Sequence, residues 1–254
     1  MPEGDTIHLA ARRMQQALGG RTIERAEAPN PRSPLHRRAG ELAGRTLESV
    51  EARGKHLLAH FSGDLVLHSH LGMNGRLRIF ADGRRPHGKP WLVLAAGPGV
   101  AFQTQGKLLR LVSESKLRRD PALARLGPDP LADGFRPEDG IRALRQRSDR
   151  ERQLGDALLD QAVIAGIGNR YKAEGCFAAR VSPWRRLADL SDTELRAVVL
   201  ETASLMRAGV ETGRQPADVY RREGRPCPRC GEPIVSRGQG DANRTTYWCT
   251  GCQQ

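Results

Sequence analysis

The apolar positions near the start of the chain repeat at the spacing of a helix. They follow one another at intervals of four, three and four residues: Ile7, Ala11, Met14 and Leu18. The pair Gly19-Gly20 comes next and favours termination. The pattern predicts an amphipathic helix over residues 3–19, and this helix would hold the first residues of the chain in a defined position.

The pattern changes to short β-type runs between about residues 21 and 115. The clearest runs cover residues 46–50, 57–61, 65–70, 77–80, 91–94 and 108–112. Gly63-Asp64 and Asp82-Gly83 are predicted as hairpin turns. Several short strands with regular turns predict a β-sandwich.

A stretch rich in proline, glycine and aspartate at residues 120–140 predicts a linker, and the pattern after it is helical. The predicted helical segments cover residues 138–147, 151–163, 170–178 and 191–208. Ser191 and Glu194 form a capping box at the start of the last segment. Strands followed by helices predict an α+β fold.

The last thirty residues contain two Cys-x-x-Cys pairs separated by eighteen residues. The four cysteines are Cys227, Cys230, Cys249 and Cys252. This spacing predicts one structural Zn²⁺ held by four thiolates in a zinc ribbon. Arg244 lies between the two pairs, where a guanidinium can hold a phosphate through two hydrogen bonds. The remaining thiol, Cys176, is expected to be buried and inert.

The 254-residue chain carries a formal net charge of +12, which favours a polyanionic partner, most often nucleic acid. No apolar run reaches the roughly 18 residues of a membrane helix. Paired cysteines of this kind suit a reducing compartment, so we expect a cytoplasmic protein without a membrane partner. Only five of the 41 basic residues are lysines, and a retained lysine such as Lys55 is a candidate for a specific chemical role.

The chain begins Met1-Pro2-Glu3, and removal of Met1 would give Pro2 a free secondary amine. Such an amine, with a pKa near ~8, can attack an aldehyde-level carbon and form an iminium. Taken alone this is weak support for a nucleophile, because proline is also a favourable first residue of a helix.

Three further positions are candidate ligand contacts, each with a plainer alternative. Lys55 opens a strand, where it contacts phosphate or is a solvated edge residue. Asn169 follows Gly166 and Gly168 at the start of a helix, which is typical of an anion site or of a tight helical hairpin. The histidines at 56, 60, 68 and 70 are expected to face solvent rather than to bind metal, and His70 is retained as a possible phosphate donor.

Taken in order, these features resemble the bacterial formamidopyrimidine-DNA glycosylase/endonuclease VIII family across essentially the whole chain. The matching segments are Pro2-Glu3-Gly4, Arg53-Gly54-Lys55, Ser69 through Met73, Leu159 through Asn169, Val219-Tyr220, and the four cysteines with Arg244. The resemblance implies a catalytic β-sandwich domain at residues 1–126, a helix-two-turn-helix domain at 127–224 and a zinc ribbon at 225–254. Each segment is short, but their joint occurrence in this order is specific.

The resemblance also implies roles for the candidate residues. Pro2 would attack C1′ of a flipped-out damaged nucleotide, Glu3 would act as general acid at the sugar ring oxygen, and Lys55 would hold a neighbouring phosphate. Asn169, Tyr220 and Arg244 would clamp the phosphates around a kink. Met73 would fill the gap left in the helix. Successive β and δ eliminations would then cut the strand, and we expect a monomer acting on double-stranded, kinked DNA.

The branch of the family is inferred from smaller differences. The start Pro-Glu-Gly resembles the endonuclease VIII branch, which removes oxidised pyrimidines. Residues 103–108 read Gln-Thr-Gln-Gly-Lys-Leu where the purine branch has Asp-Pro-Arg-Arg-Phe-Gly. The alternatives are a glycosylase for 8-oxoguanine and formamidopyrimidine with the same fold, or a zinc-ribbon DNA-binding protein without catalysis.

Overall fold

The computed structural model describes residues 2–84 and 87–254. The chain divides into two compact units, the first ending at Ala124 and the second beginning at Arg125. Within the described residues, no helix is long and apolar enough to cross a membrane. Met1, whose removal the proline chemistry requires, lies outside the described residues.

The first unit begins with a helix and continues with eight strands. Its elements are α1 (Gly4–Leu18), β1 (Arg25–Glu27), β2 (Leu47–Arg53), β3 (His56–Phe61), β4 (Leu65–His70), β5 (Leu77–Phe80), β6 (Leu92–Ala96), β7 (Gly99–Gln103), β8 (Leu108–Val112), α2 (Glu114–Arg118) and α3 (Pro121–Ala124). A 3-10 turn, Ala39–Leu42, lies between β1 and β2. The predicted N-terminal helix is confirmed, and its predicted apolar face is buried.

The strands of the first unit form two antiparallel four-stranded sheets. One has the order β1-β6-β7-β5 and the other the order β2-β3-β4-β8. Apolar residues from α1 and from both sheets form one core, in which Leu18, Leu47 and Leu94 are almost completely buried. The inward-facing apolar residues of both sheets pack face to face in this core, which gives the β-sandwich that the sequence predicts.

One of the two predicted hairpin turns is correct. Gly63 and Asp64 have φ angles of 77° and 58° and join β3 to β4, as expected for a tight hairpin. The prediction at Asp82-Gly83 is wrong, because β5 pairs with β7 and not with β6. The backbone N–H of Gly83 instead donates to the Pro98 carbonyl oxygen at 2.8 Å, which ties the loop after β5 to the β6–β7 turn.

The outer face of the β2-β3-β4-β8 sheet has an apolar part and an imidazole-rich part. Leu58, Val66, Val112 and Leu117 form the apolar part, where α2 packs on the sheet. Beside it, His56 Nδ1 lies 2.8 Å from His68 Nε2, and His68 Nδ1 accepts a hydrogen bond from Arg110. The expectation that these histidines face solvent is wrong for His68, which is fully buried because register places it between Leu58 and Arg110.

The second unit is helical and ends in a two-stranded hairpin. Its elements are α4 (Pro137–Gln146), α5 (Leu154–Ala157), α6 (Asn169–Ala178), α7 (Asp192–Thr212), β9 (Ile234–Gln239) and β10 (Arg244–Cys249). The predicted capping box at Ser191 and Glu194 is present at the start of α7. A separate apolar core joins α4 through α7, with Leu144, Leu154, Ile164, Leu195 and Met206 among its members.

Two sequence-based boundaries differ from the structure. The predicted linker at 120–140 contains α3 and the start of α4. The predicted helix at 151–163 is shortened to the single turn of α5. The reason for the shorter helix is local: Asp160 Oδ1 accepts the backbone N–H of Ala162 at 2.9 Å, and such side-chain bonds offer the backbone an alternative to the helical ladder.

The buried imidazoles make the stability of the protein depend on pH. Burial, reinforced by neighbouring charges, lowers the pKa of His56 to about 3 and that of His68 to about 4. The unfolded chain, with histidine pKa values near ~6.5, binds more protons than the folded protein as pH falls from about 6.5 to about 4. The free energy of unfolding therefore decreases as pH is lowered from 7 to 5.

In the variant His68→Gln, the difference between the free energies of unfolding at pH 7 and pH 5 should be smaller by on the order of 1–2 kcal/mol. Urea unfolding at the two pH values measures this difference. His68 faces His56, Arg110 and Asp120, and these groups are retained in the variant. His60, whose pKa is raised by its hydrogen bond to Glu51, contributes the opposite slope in both proteins. His36→Gln serves as the control, and an unchanged slope in His68→Gln would contradict the assignment.

Candidate functional site

The packing of α1 on β2 determines where the first residues of the chain lie. Gly20, just after α1, donates its N–H to Leu47 O at 2.8 Å, and Gln15 Oε1 accepts the N–H of Val50 at 2.8 Å. The helix therefore runs antiparallel to the strand. Glu3 lies about 18 Å along the helix from Gln15. Arg53, the last residue of β2, lies about 10 Å along the strand from Val50 in the same direction, and the turn that contains Lys55 follows it. The start of α1 and the end of β2 thus lie at the same end of the sheet.

The start of α1 is well ordered by its own contacts. Glu3 precedes the first turn, its carbonyl oxygen accepts the N–H of Ile7 at 3.2 Å, and only 1% of its surface is exposed. Pro2 is half-buried. The Glu3 side chain is therefore held out of bulk water, beside a half-buried proline.

Three turns meet at the same end of the β2-β3-β4-β8 sheet. Gly54 and Lys55 form the two-residue turn between β2 and β3, with Gly54 at φ 57°. His70, the last residue of β4, pairs with His56 and with Leu108. Lys107 donates its backbone N–H to His70 O at 2.8 Å. The sheet register thus gathers Lys55, His70 and Lys107, and Lys107 is a cation that the sequence pattern had not indicated.

His70 is prepared to act as a hydrogen-bond donor. Burial, followed by the charges of Lys107 and Lys55, lowers the pKa of His70 to about 4, so the ring is neutral at pH 7. Its Nδ1 accepts the backbone N–H of Gly72 at 3.0 Å. The proton of the neutral ring is therefore on Nε2, the nitrogen available to an anionic ligand.

Met73 lies at the tip of the turn that follows His70. Its surface is 61% exposed, the highest value among the large apolar residues described. Gly72 has a φ of 63°, a left-handed conformation that glycine adopts without strain. An exposed, unbranched apolar side chain on a tight turn is suited to insertion between bases.

In the second unit, the side chain of Gln161 makes three hydrogen bonds within the loop before α6. The Gln161 amide donates to the Leu159 and Ile167 carbonyl oxygens and accepts the N–H of Gly166. Asn169 begins α6, and its Nδ2 donates to Thr245 O at 2.6 Å. This hydrogen bond ties the Asn169 side chain to the C-terminal hairpin.

Tyr220 is positioned by a buried carboxylate. Glu174, on α6, accepts the backbone N–H groups of Asp218, Val219 and Tyr220 at 2.8–3.1 Å. Burial raises the pKa of Glu174. The guanidinium of Arg170 lies 4.5 Å from the centre of the Tyr220 ring. The sequence pattern did not indicate Glu174 as a functional residue. Glu174 lies on α6, five residues after Asn169.

A buried polar chain joins α6 to the C-terminal hairpin. Lys172 is fully buried, and its Nζ donates to Thr246 Oγ1 at 2.6 Å. Thr246 Oγ1 donates in turn to Gln239 Oε1 at 2.7 Å. The Gln239 amide reaches Gln153 and the Pro183 carbonyl oxygen. These hydrogen bonds fix β9 and β10 against the helices. They thereby fix Arg244, the exposed first residue of β10.

The four cysteines of the C-terminal pairs form a compact ligand set. Their sulfur atoms all lie within 4.8 Å of one another. The Cys227–Cys252 and Cys230–Cys249 sulfur distances are 3.8 and 3.4 Å. A tetrahedral zinc site with bonds of ~2.3 Å has sulfur–sulfur distances of about 3.8 Å. The set therefore fits a metal ion, and Cys176 is separate from it, with burial raising its pKa to about 12.

Comparison with known protein families agrees with this arrangement. Residues 1–111 match the formamidopyrimidine-DNA glycosylase N-terminal domain, and residues 126–220 match the formamidopyrimidine-DNA glycosylase H2TH domain. The chain belongs to the formamidopyrimidine-DNA glycosylase/endonuclease VIII family. It is thus a DNA glycosylase of base excision repair.

Individual relatives of both branches of the formamidopyrimidine-DNA glycosylase/endonuclease VIII family align over the full chain. A probable endonuclease 8 2 of Streptomyces coelicolor is 38% identical over 100% of this chain and 94% of its own length. A formamidopyrimidine-DNA glycosylase of Thermus thermophilus is 34% identical over 100% of this chain and 98% of its own length. The crystal structure of MutM (Fpg) from Thermus thermophilus covers 99% of this chain and 98% of its own, with 32% identity and a TM-score of 0.80.

Solved DNA complexes in the formamidopyrimidine-DNA glycosylase/endonuclease VIII family share the fold. The Lactococcus lactis Fpg complex with N7-benzyl-Fapy-dG DNA covers 100% of both chains with a TM-score of 0.84 and 23% identity. At that identity the likeness concerns the fold.

The contribution of the buried hydrogen bond between Lys172 and Thr246 to stability can be measured by a double-mutant cycle. Thr246→Val removes the hydroxyl acceptor of Lys172 and should destabilise the metal-loaded protein by about 2–3 kcal/mol, because a charge-assisted, buried hydrogen bond is lost. Lys172→Met in the same background should restore part of that loss. Urea unfolding followed by tryptophan fluorescence, to which the neighbouring Trp184 and Trp248 contribute, is the measurement.

Thr245→Val is the matched control, because Thr245 is the exposed neighbour of Thr246 on the same strand. It should change the free energy of unfolding by less than about 0.5 kcal/mol. Additive effects of Thr246→Val and Lys172→Met would show that the two side chains do not stabilise the hairpin jointly.

Metal removal should unfold the hairpin and leave the first unit intact. The hairpin buries few apolar residues of its own, so its folding depends on metal binding. Chelation, or Cys227→Ser, should abolish the near-ultraviolet circular dichroism of Tyr247 and Trp248 and should weaken binding to an abasic-site duplex. Unchanged DNA binding by Cys227→Ser would contradict a role for the hairpin in DNA binding.

Proposed function

We propose that the protein is a bifunctional DNA glycosylase and abasic-site lyase that removes oxidised pyrimidines through a Schiff base on Pro2. The observation that carries this proposal is the antiparallel packing of α1 on β2. Because of it, Pro2 and Glu3 reach the end of the sheet where Lys55, His70 and Lys107 are gathered. A secondary amine, an acid and a set of phosphate donors are the groups that the reaction needs.

The proposed chemistry proceeds through covalent catalysis. With Met1 removed, the Pro2 nitrogen attacks C1′, the bond from C1′ to the base breaks, and the base leaves. Glu3 protonates the ring oxygen, the sugar opens, and an iminium forms between C1′ and Pro2. β-Elimination removes a C2′ proton and expels the 3′ phosphate, and δ-elimination removes the C4′ proton and expels the 5′ phosphate, with both protons passing to water. Hydrolysis then releases Pro2. Lys55 and His70 hold the phosphate next to the lesion throughout.

Damaged, kinked duplex DNA with a flipped-out nucleotide is the proposed partner. The solved Lactococcus lactis Fpg complexes contain abasic-site DNA and a Fapy-dG analogue, and they share this fold. Met73 would occupy the vacated position, and Asn169, Tyr220 and Arg244 would hold phosphates. The four cysteines would bind one structural Zn²⁺, which takes no part in the chemical step. We expect a monomer with domains at 1–126, 127–224 and 225–254, working in the bacterial cytoplasm.

Two features favour pyrimidine lesions. The Streptomyces coelicolor relative named as an endonuclease 8 has the higher identity of the two described, 38% against 34% for the Thermus thermophilus glycosylase. The turn at 103–107 also lacks the arginine pair and phenylalanine of the purine branch. An oxidised-purine glycosylase is the second candidate, because formamidopyrimidine-DNA glycosylases also align with the whole chain. The fold does not separate the two, since an oxidised pyrimidine complex of the Lactococcus lactis enzyme shares it.

Borohydride trapping tests the nucleophile. The wild-type protein should form a covalent adduct with abasic-site and thymine glycol duplexes. A form that retains Met1 should lose most of the adduct, because its Pro2 nitrogen is an amide and not a nucleophile. Pro2→Gly should also diminish the adduct strongly, because its primary amine forms a neutral imine in place of the permanently cationic iminium of a secondary amine. Lys55→Gln should reduce trapping at least tenfold, and Lys116→Gln, an exposed lysine on α2, is the matched control and should react normally.

The same gel identifies the lesion class. Efficient excision of thymine glycol with slow excision of 8-oxoguanine supports the pyrimidine assignment, and the reverse order would replace it with the purine branch. Binding to the abasic duplex with no adduct at any substrate would mean a DNA-binding protein without catalysis.

A further inference from the structure

A concavity on the first unit has no role in the proposed reaction. It lies on the outer face of the β1-β6-β7-β5 sheet and has a volume of about 830 Å³. Sites that bind small ligands have volumes of ~300–1,000 Å³. Its polar lining consists mainly of Asn74, Arg76, Arg78, Arg84, Thr104 and Gln105. The concavity is therefore large enough for a nucleotide and is open to solvent.

The floor of the concavity is aromatic. The rings of Phe80 and Phe102 are stacked with their centres 5.7 Å apart and an interplanar angle of 27°. Phe102 is buried with Val93 and Val100, whereas Phe80 is half-buried and lines the cavity. The guanidinium of Arg84 lies 5.1 Å from the centre of the Phe80 ring. Aromatic and guanidinium planes are the surfaces on which unpaired bases stack.

The walls of the concavity are positively charged. Arg76 and Arg78 are both exposed, and two residues along an extended chain separate them by about 7 Å on one face. Among the described residues, no acidic side chain lines the cavity, and the ion pairs found include neither Arg76 nor Arg78. Arg84 is partly compensated by Asp82 at 2.8 Å. The charge and the aromatic floor together complement a phosphate and a base.

The concavity opens beside the turn that carries Met73. Asn74, the next residue, is part of its wall. The turn at 72–75 packs closely on the turn at 104–107: a Cβ atom added to Gly75 would lie 2.6 Å from the Gln105 carbonyl oxygen. Both turns thus form one rim. DNA that is opened at Met73 therefore presents its unpaired nucleotides next to this cavity.

We propose that the concavity binds single-stranded DNA, one or two unpaired nucleotides adjacent to the lesion. A base packs on Phe80 and Arg84, and its phosphates pair with Arg76 and Arg78. Asn74, Thr104 and Gln105 supply hydrogen bonds to the base edge. This site rests on the proposed function, and it gives the enzyme a preference for lesions in bubbles or single strands over lesions in fully paired duplexes.

The test compares two DNA probes that carry the same tetrahydrofuran abasic analogue, one in a duplex and one in a five-nucleotide bubble. The wild-type protein should bind the bubble at least fivefold more tightly. Arg76→Ser/Arg78→Ser should remove this preference by weakening bubble binding about tenfold. Phe80→Leu, which keeps the apolar volume and removes the aromatic face, should also weaken bubble binding more than duplex binding.

The charge-matched control is Arg118→Ser/Arg119→Ser, two exposed arginines at the end of α2 in the same unit. It measures the general loss of attraction to DNA and should affect both probes equally. An equal loss on both probes for Arg76→Ser/Arg78→Ser, no larger than that of the control, would overturn the proposal. Melting curves of all variants establish that the fold is retained.

A second measurement distinguishes this site from the reaction itself. A photoreactive 5-iododeoxyuridine among the unpaired bases should cross-link to the peptide that contains Phe80, and the cross-link should disappear in Phe80→Leu. Borohydride trapping on a fully paired abasic duplex should persist in Arg76→Ser/Arg78→Ser. Trapping by the wild-type protein without bubble preference or cross-link would overturn the single-strand site alone, whereas no binding to either probe would overturn the proposed function as well.

Discussion

The position of the N-terminus depends on the packing of α1 along β2. A chain terminus normally frays unless it is tied to the fold. Here the helix buries its apolar face in the sandwich core, and two hydrogen bonds set its direction relative to the strand. The first residues consequently occupy a fixed place at one end of a sheet. The proposed nucleophile gains its orientation from this packing and needs no lysine side chain with several rotatable bonds to be ordered.

The second unit solves a similar problem for its C-terminal hairpin. Two short strands cannot build a core, so the hairpin relies on the cysteine site at one end and on contacts with α6. Asn169 and Lys172 lie on one face of α6 and bond to successive residues of β10. The helix that carries a proposed phosphate ligand therefore also positions Arg244. One helix thus holds Asn169 and fixes the strand that begins with Arg244.

Burial changes the chemistry of several polar groups. His68 and Lys172 are fully buried, and each is accommodated by specific hydrogen bonds rather than by solvent. His70, partly buried among cations, is held neutral with its free proton on Nε2. These groups become specific donors because the surrounding fold excludes water and leaves one tautomer or one direction of bonding.

The sequence by itself determined the class of fold, the N-terminal helix, most strands, the capping box of α7 and the cysteine set, because these follow from local periodicity and from spacing along the chain. The order of segments also identified the family. Only the tertiary structure decided that β5 pairs with β7 and that His68 is buried. It also decided that Lys107 supports His70, that Glu174 supports Tyr220 and that Lys172 supports Thr246. Only the tertiary structure shows the concavity whose walls include Arg76 and Arg78. Strand order and burial depend on contacts between residues distant in sequence, and no local pattern encodes them.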